Sequence, residues 1–232
     1  MNITANQIKD KAKLFGADLC GVAPVERFLD APIGFQPTDV LKTCKSVVVF
    51  ASRFPVSTLT STQASYTFVR NKMIEKLDSI AFNFSMELES YGICAVPVPS
   101  SEPYEYWDDE RKHGQGILSL KHSAVRAGLG KLGKNTLLVN DKLGNMLWLG
   151  AVLVDIELEA DKLADYEACL ASCRVCLDSC PTQALDGTTI SQKKCRSTMA
   201  KCTDGGGWVI SCNICRKICP NHKGIYKSVT CD

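Results

Sequence analysis

Seven cysteines in the last third of the chain recur in two groups with related spacing. The groups are Cys169, Cys173, Cys176, Cys180 and Cys212, Cys215, Cys219. In both groups three residues separate the last two cysteines, and a proline follows the last one. This spacing is typical of thiolates that hold two 4Fe-4S clusters. The cysteines therefore predict a protein that transfers electrons.

A crossing rule assigns ligands to the two predicted clusters. In chains with two such motifs, the cysteine before proline binds the cluster of the other group. The first cluster then takes Cys169, Cys173, Cys176 and Cys219, and the second takes Cys180, Cys212, Cys215 and one further thiolate. The gap between Cys169 and Cys173 is one residue longer than usual, so Cys169 is the ligand that the pattern defines least well.

The fourth ligand of the second cluster is expected between the two groups, where Cys195 and Cys202 are the candidates. Cys195 lies in SQKKCRSTMAK, which is typical of a short helix. Cys202 borders the glycine-rich TDGGGW, whose backbone has the most freedom to lose on ordering. We favour Cys195, with Cys202 as the alternative.

Zinc and disulfides are other uses of such cysteines. Zinc sites also contain paired C-x2-C units, but they require neither the additional thiolate three residues later nor the proline. An odd count of 13 cysteines and no recognisable secretory signal argue against a disulfide framework. We expect Cys20, Cys44 and Cys94 to be buried as small apolar residues, and we assign no role to Cys231.

Composition limits the possible partners. The chain has 232 residues, of which 45% are hydrophobic, and a net charge of +2. This charge is too small to indicate nucleic-acid binding. The longest apolar stretch, 146–156, is shorter than the roughly 20 residues of a membrane helix. We expect a cytoplasmic protein that binds neither nucleic acid nor membrane. The cysteine density changes after Leu158, which predicts two lobes, 1–158 and 159–232.

The first lobe mixes helix and strand signals, so its fold class is α/β or α+β. Helices are predicted up to Gly16 and over 65–91, each with glycine at its end. Apolar strands are predicted at 18–23, 46–51 and 93–99. TLLVN and NMLWLGAVLV flank 141–144 and predict a hairpin with Gly144 in its turn.

Two segments between these elements are candidates for chemistry. Glycines in RAGLGKLGKNTLLV allow a backbone to approach a phosphate or an amide-bearing cofactor. The alternative is a helix end followed by an ordinary turn, which would have the same glycine pattern. The segment 100–114 concentrates groups that can donate protons, among them Tyr104, Asp108, Asp109 and His113. If it folds over the first lobe it forms a lid, and otherwise it is an exposed polar loop.

The sequence resembles the epoxyqueuosine reductases and, more distantly, the corrinoid-dependent reductive dehalogenases. The resemblance rests on RAGLGKLGKNTLLVNDKLGNMLWLGAVLVD followed by CLASCRVCLDSCPTQAL, Cys195 and CNICRKICP. It implies a nitroreductase-like first lobe that binds base-off cobalamin over a ferredoxin-like lobe, whose nearer cluster supplies electrons to cobalt. It also implies that Cys195 is a ligand. The residues that it places beside the corrin are Gly130, Gly133, Lys134, Asn135 and Thr136.

Two departures from this family modify the expectation. The family has an acidic proton donor upstream of the segment RAGLGKLGKNTLLV, which we call the glycine turn. The corresponding position here is near Gly114, and no acid is found there. Members that act on tRNA also extend into a helical-repeat region beyond the second cysteine group, whereas this sequence stops at Asp232. We therefore expect a truncated, cobalamin-dependent reductase of a small molecule, supplied with electrons by a ferredoxin or flavodoxin. The alternative is a two-cluster electron-transfer protein that serves a redox partner protein.

Overall fold

A computed structural model describes residues 3–225. Its centre is a four-stranded sheet in the order β1-β2-β8-β3. The strands are β1 (Leu19–Pro24), β2 (Ser46–Arg53), β3 (Ala95–Val98) and β8 (Leu147–Val154). Every neighbouring pair in this sheet is antiparallel. Of the two predicted classes the fold is therefore α+β.

Both faces of the sheet are covered. Alternate side chains of a strand point to opposite faces, and Val48 and Phe50 accordingly pack on one face while Val47 and Val49 pack on the other. The first face is covered by helices α1 (Ala5–Leu14) and α3 (Gln63–Ser90), and the second by α4 (Leu120–Arg126). A short helix, α2 (Pro37–Val40), and two 3-10 turns, Val25–Phe28 and Val56–Thr60, complete this part of the chain.

The two predicted helices are confirmed. Thr4 and Gln7 form a capping box at the start of α1, where the Gln7 N–H donates to Thr4 Oγ1 at 3.3 Å. Beyond the helix ends, Gly16 and Gly92 have φ of 101° and 77°, a conformation that side chains other than glycine disfavour. Glycine thus ends both helices, as the sequence indicates.

The predicted hairpin around 141–144 is wrong. β7 (Leu138–Val139) pairs with β6 (Lys131–Leu132), and β8 joins the central sheet. Only one bridge, between Asn140 and Gly144, closes the turn, although Gly144 does have the predicted positive φ of 58°. β8 is almost completely buried, and a strand of that kind is stabilised most by neighbours on both sides.

The remaining elements form a small hairpin and the cysteine-containing part of the chain. β4 (Tyr106–Asp108) pairs with β5 (His113–Gln115). Beyond residue 158 the elements are α5 (Val175–Asp178), α6 (Gln192–Met199), β9 (Ala200–Cys202), β10 (Trp208–Ile210) and α7 (Ile214–Lys217). The lobe boundary near Leu158 stays a prediction.

Among the isolated cysteines, Cys44 is buried and Cys20 is half-buried. Cys94 is exposed, so its predicted burial is wrong: it lies in the connection between α3 and β3, where its N–H donates to Asp155 Oδ1 at 2.9 Å. Cys231 lies outside the described residues. No helix within 3–225 is both long enough and apolar enough to span a bilayer.

Candidate metal and cofactor site

Electrostatic effects among the thiols of the two cysteine groups fall into two sets that cut across the sequence. Burial, with a smaller contribution from nearby Cys169, Cys176 and Cys173, raises the pKa of Cys219 to about 11. These are the four residues that the crossing rule assigns to the first cluster. Proximity in space therefore joins the last cysteine of the second group to the first group.

The second set contains Cys195. Burial raises the pKa of this thiol, and so do the neighbouring thiols of Cys212 and Cys180. Burial, partly offset by Arg216 and reinforced by Cys195 and Cys212, raises the pKa of Cys215 to about 11. Cys176 also acts on Cys215, so the two sets adjoin. Cys202 is exposed on β9, opposite Trp208.

The donor chemistry of the two sets fits iron-sulfur clusters. Cysteine binds metal as thiolate, and each set holds four free thiols, none of which is fully exposed. Within residues 3–225, no three His, Cys, Asp or Glu side chains are grouped so as to hold one metal ion. The thiols therefore fit clusters by their type, number and spacing.

The glycine turn of the first lobe holds both cysteine groups in place. Lys134 Nζ donates to the carbonyl oxygens of Leu170, Ala171 and Cys173 at 3.2, 2.6 and 2.8 Å. Asn135 Nδ2 donates to the Cys215 carbonyl at 2.9 Å. Two of the residues that the resemblance places beside a corrin thus contact the cysteine loops themselves.

The other three predicted cofactor residues differ in position. A Cβ at Gly130 would lie 2.5 Å from the Val139 carbonyl oxygen, so glycine is required there by the packing of β6 against β7. A Cβ at Gly133 would lie 3.5 Å from Cys169 Sγ. Thr136, at φ 59°, lines a large cavity, whereas the other four do not.

This cavity has a volume of about 610 Å³ and lies between the two parts of the chain. Apolar and polar groups share its wall: Phe28, Phe35, Leu118 and Leu132, with Asp30, His113, Lys121, His122, Arg126 and Gln192. Its volume is within the usual range of small-molecule sites, roughly 300 to 1,000 Å³. Besides the glycine turn, the cavity is therefore another place where a cofactor or substrate can bind.

One of the four predicted proton donors lines the cavity and three do not. His113 is part of the wall, beside Gly114. Asp109 instead forms an exposed ion pair with Lys112 at 2.7 Å, and Asp108 accepts a hydrogen bond from the Arg111 N–H at 2.9 Å.

Tyr104 belongs to an aromatic contact between the small hairpin and α6. The Arg196 guanidinium donates to the Tyr104 hydroxyl at 3.1 Å and lies over the rings of Tyr104 and Trp107. Gln192, one turn earlier on α6, exchanges two hydrogen bonds with the Gly114 backbone at 3.1 and 3.0 Å. The hairpin therefore forms a wall of the cavity that is attached to the helix carrying Cys195.

His122 and Lys121 line the cavity and were not predicted. His122 Nδ1 lies 2.7 Å from Ser119 Oγ. Burial lowers the pKa of this imidazole, and Arg126 and Lys121 lower it further. Burial also lowers the pKa of Lys121. The spacing of Ser119 and His122 at the start of a helix is the signal that sequence reasoning missed.

Comparisons with known proteins show similarity to one group of enzymes. No family model matches the chain. It is 36% identical over 121 residues to the epoxyqueuosine reductase of Staphylococcus aureus, a match that covers 47% of this chain and 31% of that protein. The aligned part therefore spans about a third of the length of this curated relative.

Solved structures extend the similarity to almost the whole chain. The epoxyqueuosine reductase of Streptococcus thermophilus superimposes with a TM-score of 0.67 and 24% identity, covering 100% of this chain and 69% of that one. An epoxyqueuosine reductase with a modified tRNA stem loop gives 0.64 and 22%, covering 95% and 66%. A catabolic reductive dehalogenase with 3-bromo-4-hydroxybenzoic acid gives 0.70 and 18%, covering 95% and 32%. The predicted resemblance is confirmed: the chain is similar in sequence to epoxyqueuosine reductases and shares the fold of both these enzymes and the reductive dehalogenases.

Proposed function

We propose that this chain is an iron-sulfur, cobalamin-dependent reductase of a small molecule. A ferredoxin-like lobe, 159–232, would hold two 4Fe-4S clusters, and a nitroreductase-like lobe, 1–158, would bind cobalamin at the open cavity, whose 610 Å³ can enclose only part of so large a molecule. The observation that carries the proposal is the grouping of eight thiols into two sets across the two motifs. The proposal also draws on the relatives, since one solved dehalogenase is described as B12-dependent.

The chain's own residues would divide the work. Bound clusters would supply single electrons and bound cobalamin the reducing metal centre. Lys134 and Asn135 hold the two cysteine loops against the first lobe. At the cavity wall, His113 and the Ser119–His122 pair can hold and move a proton. Because its pKa is lowered, His122 is mostly neutral at neutral pH and can accept a proton and return it.

The substrate class is inferred from charge and volume. A net charge of +2 favours a small molecule over tRNA, since nucleic-acid binding relies on many cationic contacts. Cobalamin would occupy most of the cavity, which leaves room only for a small substrate beside it. Electrons would come from a ferredoxin or flavodoxin, as the resemblance implies.

Metal analysis and cobalamin titration test the proposal. Anaerobically reconstituted protein should contain about eight irons and eight sulfides per chain, as two cubanes require. Added cob(II)alamin should shift its spectrum toward the base-off form. About four irons, or stoichiometric zinc, would refute the two-cluster assignment.

A cavity variant distinguishes specific from incidental cobalamin binding. Thr188 is exposed at the cavity wall, so Thr188→Trp should abolish the spectral shift with iron content unchanged. Thr60→Trp, at an exposed position outside the cavity lining, should retain the shift. Valine at Gly130 is less suitable because it would disturb the hairpin itself.

The second candidate function is electron transfer without substrate chemistry. It is favoured by Gly114, where the family's acid is expected and where the cavity wall instead presents a backbone hydrogen-bonded to Gln192. A wild-type protein with eight irons and no response to cobalamin would support this function and refute cobalamin binding.

A further inference from the structure

Arg216 is a buried cation beside the second set of thiols. It follows Cys215 on α7, and only 7% of its surface is exposed. Its guanidinium donates to the Asn145 carbonyl oxygen and lies 5.1 Å from the centre of the Trp148 ring and 5.8 Å from that of Phe54. These groups are dipoles and aromatic faces, which carry no net charge.

Arg216 has no carboxylate partner within residues 3–225. The ion pairs of this part of the chain include the arginines Arg111, Arg126 and Arg174, but not Arg216. A neighbouring cavity of about 230 Å³, which Arg216 lines together with Lys121 and Trp148, has no acid in its wall. Arginine cannot lose its charge in a protein. An unpaired buried charge costs several kcal/mol, so a counter-charge is expected nearby.

The thiols supply that counter-charge when they bind iron. Four thiolates around a 4Fe-4S core carry a net negative charge, and reduction adds one more. A buried cation therefore stabilises the reduced state more than the oxidised state, and the low dielectric around it strengthens the effect. Solvent exposure and net charge are among the factors that set cluster potentials.

We propose that Arg216 is the counter-ion of the cluster held by Cys180, Cys195, Cys212 and Cys215, and that it raises the reduction potential of this cluster. This inference rests on the proposed two-cluster function. This cluster would then be reduced before the other one.

The first cysteine group has no buried arginine next to a ligand. Its cation is Lys134, which is half-buried and donates to three carbonyl oxygens of that loop. Leu177 follows Cys176 as Arg216 follows Cys215, and it too is 7% exposed. Arg174 is the arginine of the first group, but it is exposed and paired with Asp178 at 3.1 Å. It therefore provides a matched control for loss of an arginine next to a ligand.

Redox titration of the holoprotein, followed by electron paramagnetic resonance, tests the inference. In Arg216→Gln, the ratio of reduced to oxidised cluster at a fixed potential should fall at least tenfold for one of the two clusters, or about 59 mV for a one-electron couple. Arg216→Lys, which keeps the charge, should show less than half of this shift. Arg174→Gln should change the ratio less than twofold. A change below twofold in Arg216→Gln would refute the role of Arg216.

Two further outcomes separate this inference from the function on which it rests. If the wild type lacks two cluster signals, the two-cluster function fails first. If Arg216→Gln does not assemble, Cys195→Ser identifies the wild-type signal of the second cluster, because only that signal should be altered. This signal must appear at the higher potential, and the reverse order would contradict the inference.

Discussion

The two cysteine groups have the same ending but different surroundings. Each has a single helical turn, α5 or α7, ahead of its Cys-Pro. The loop of the first group is held by the Lys134 side chain through three carbonyls, and Leu170 in that loop is 76% exposed. The second group is held by Asn135 and contains the buried Arg216. Cysteine spacing thus predicts which metal centre would be bound, whereas the neighbouring charges and burial would determine the energy of its states.

The largest effect is expected when the cysteine that binds the cluster of the other group is removed. Cys219→Ala should halve the iron content, from about eight to about four per chain, because one whole cluster is lost. The double variant Cys219→Ala/Cys169→Ala should lose no more iron, since both residues belong to one set. Cys219→Ala/Cys180→Ala should lose nearly all of it. Nearly complete loss of iron in Cys219→Ala/Cys169→Ala would instead mean that each group holds its own cluster, because the two residues would then bind different clusters.

Glycine replacements should show how differently the two groups are packed. At Gly144, with φ +58°, a Cβ would lie 2.2 Å from the Asn221 carbonyl oxygen, just after Cys219. We expect Gly144→Ala to lower the free energy of unfolding by at least ~3 kcal/mol. At Gly187, with φ +101°, the nearest atom is Leu177 Cδ1 at 3.6 Å, so only backbone strain of about 1 to 2 kcal/mol is expected.

Anaerobic urea unfolding measures both variants. Equal losses of stability would show that the backbone at Gly144 is not packed more tightly against the second group than Gly187 is against the first.

The two cysteines before proline should differ in reactivity when iron is removed. Burial acts to raise the pKa of Cys180, but hydrogen bonds from Ala184 and Thr182 hold it below its usual value of 9.0. Burial raises the pKa of Cys219 to about 11. Because only thiolate reacts with iodoacetamide, Cys180 should be alkylated faster than Cys219 at pH 8, by at least about tenfold after the weaker nucleophilicity of the lower-pKa thiolate is included.

Mass spectrometry of the alkylated peptides measures the two rates. The difference should narrow as the pH rises toward 11, where Cys219 also ionises. Similar rates at pH 8 would contradict the difference in surroundings.

The smallest effect is expected for the lysine that holds the first group. Lys134→Met removes three charge-assisted hydrogen bonds from a half-buried side chain and should cost about 1 to 2 kcal/mol. Iron release to a chelator should then be about tenfold faster, and only from the cluster of the first group. Lys131→Met removes an exposed ion pair with Glu167 and should change release less than about twofold. Equal effects would show that Lys134 has no special role.

The sequence predicts local features of the fold better than it predicts which strands pair. The helices next to Gly16 and Gly92 follow from periodicity and glycine, both of which are local. The error at 141–144 arose because the partners of β8 are β2 and β3, which lie far from it in the sequence. Strand pairing depends on such distant contacts, which hydrophobic pattern alone does not specify.

The same limit applies to the candidate site. The spacing of the cysteines is enough to predict the two sets of thiols, because the helical turns that position these cysteines are local. The contacts of Lys134 join residues 36 to 39 positions apart, and no pattern around Lys134 indicates them. Arg216 is charged, and charged residues are almost never buried without a partner. The amino-acid sequence alone therefore predicts an exposed position for this residue.

The contact between Gln192 and the Gly114 backbone couples two distant parts of the chain mechanically. Helix α6 carries both Gln192 and Cys195, so it links the surroundings of this thiol to the cavity wall. A displacement of the helix at Cys195 would therefore also move the wall at Gly114 and change the width of the cavity. A chemical change at this thiol would in this way reach the cavity without any direct contact between them.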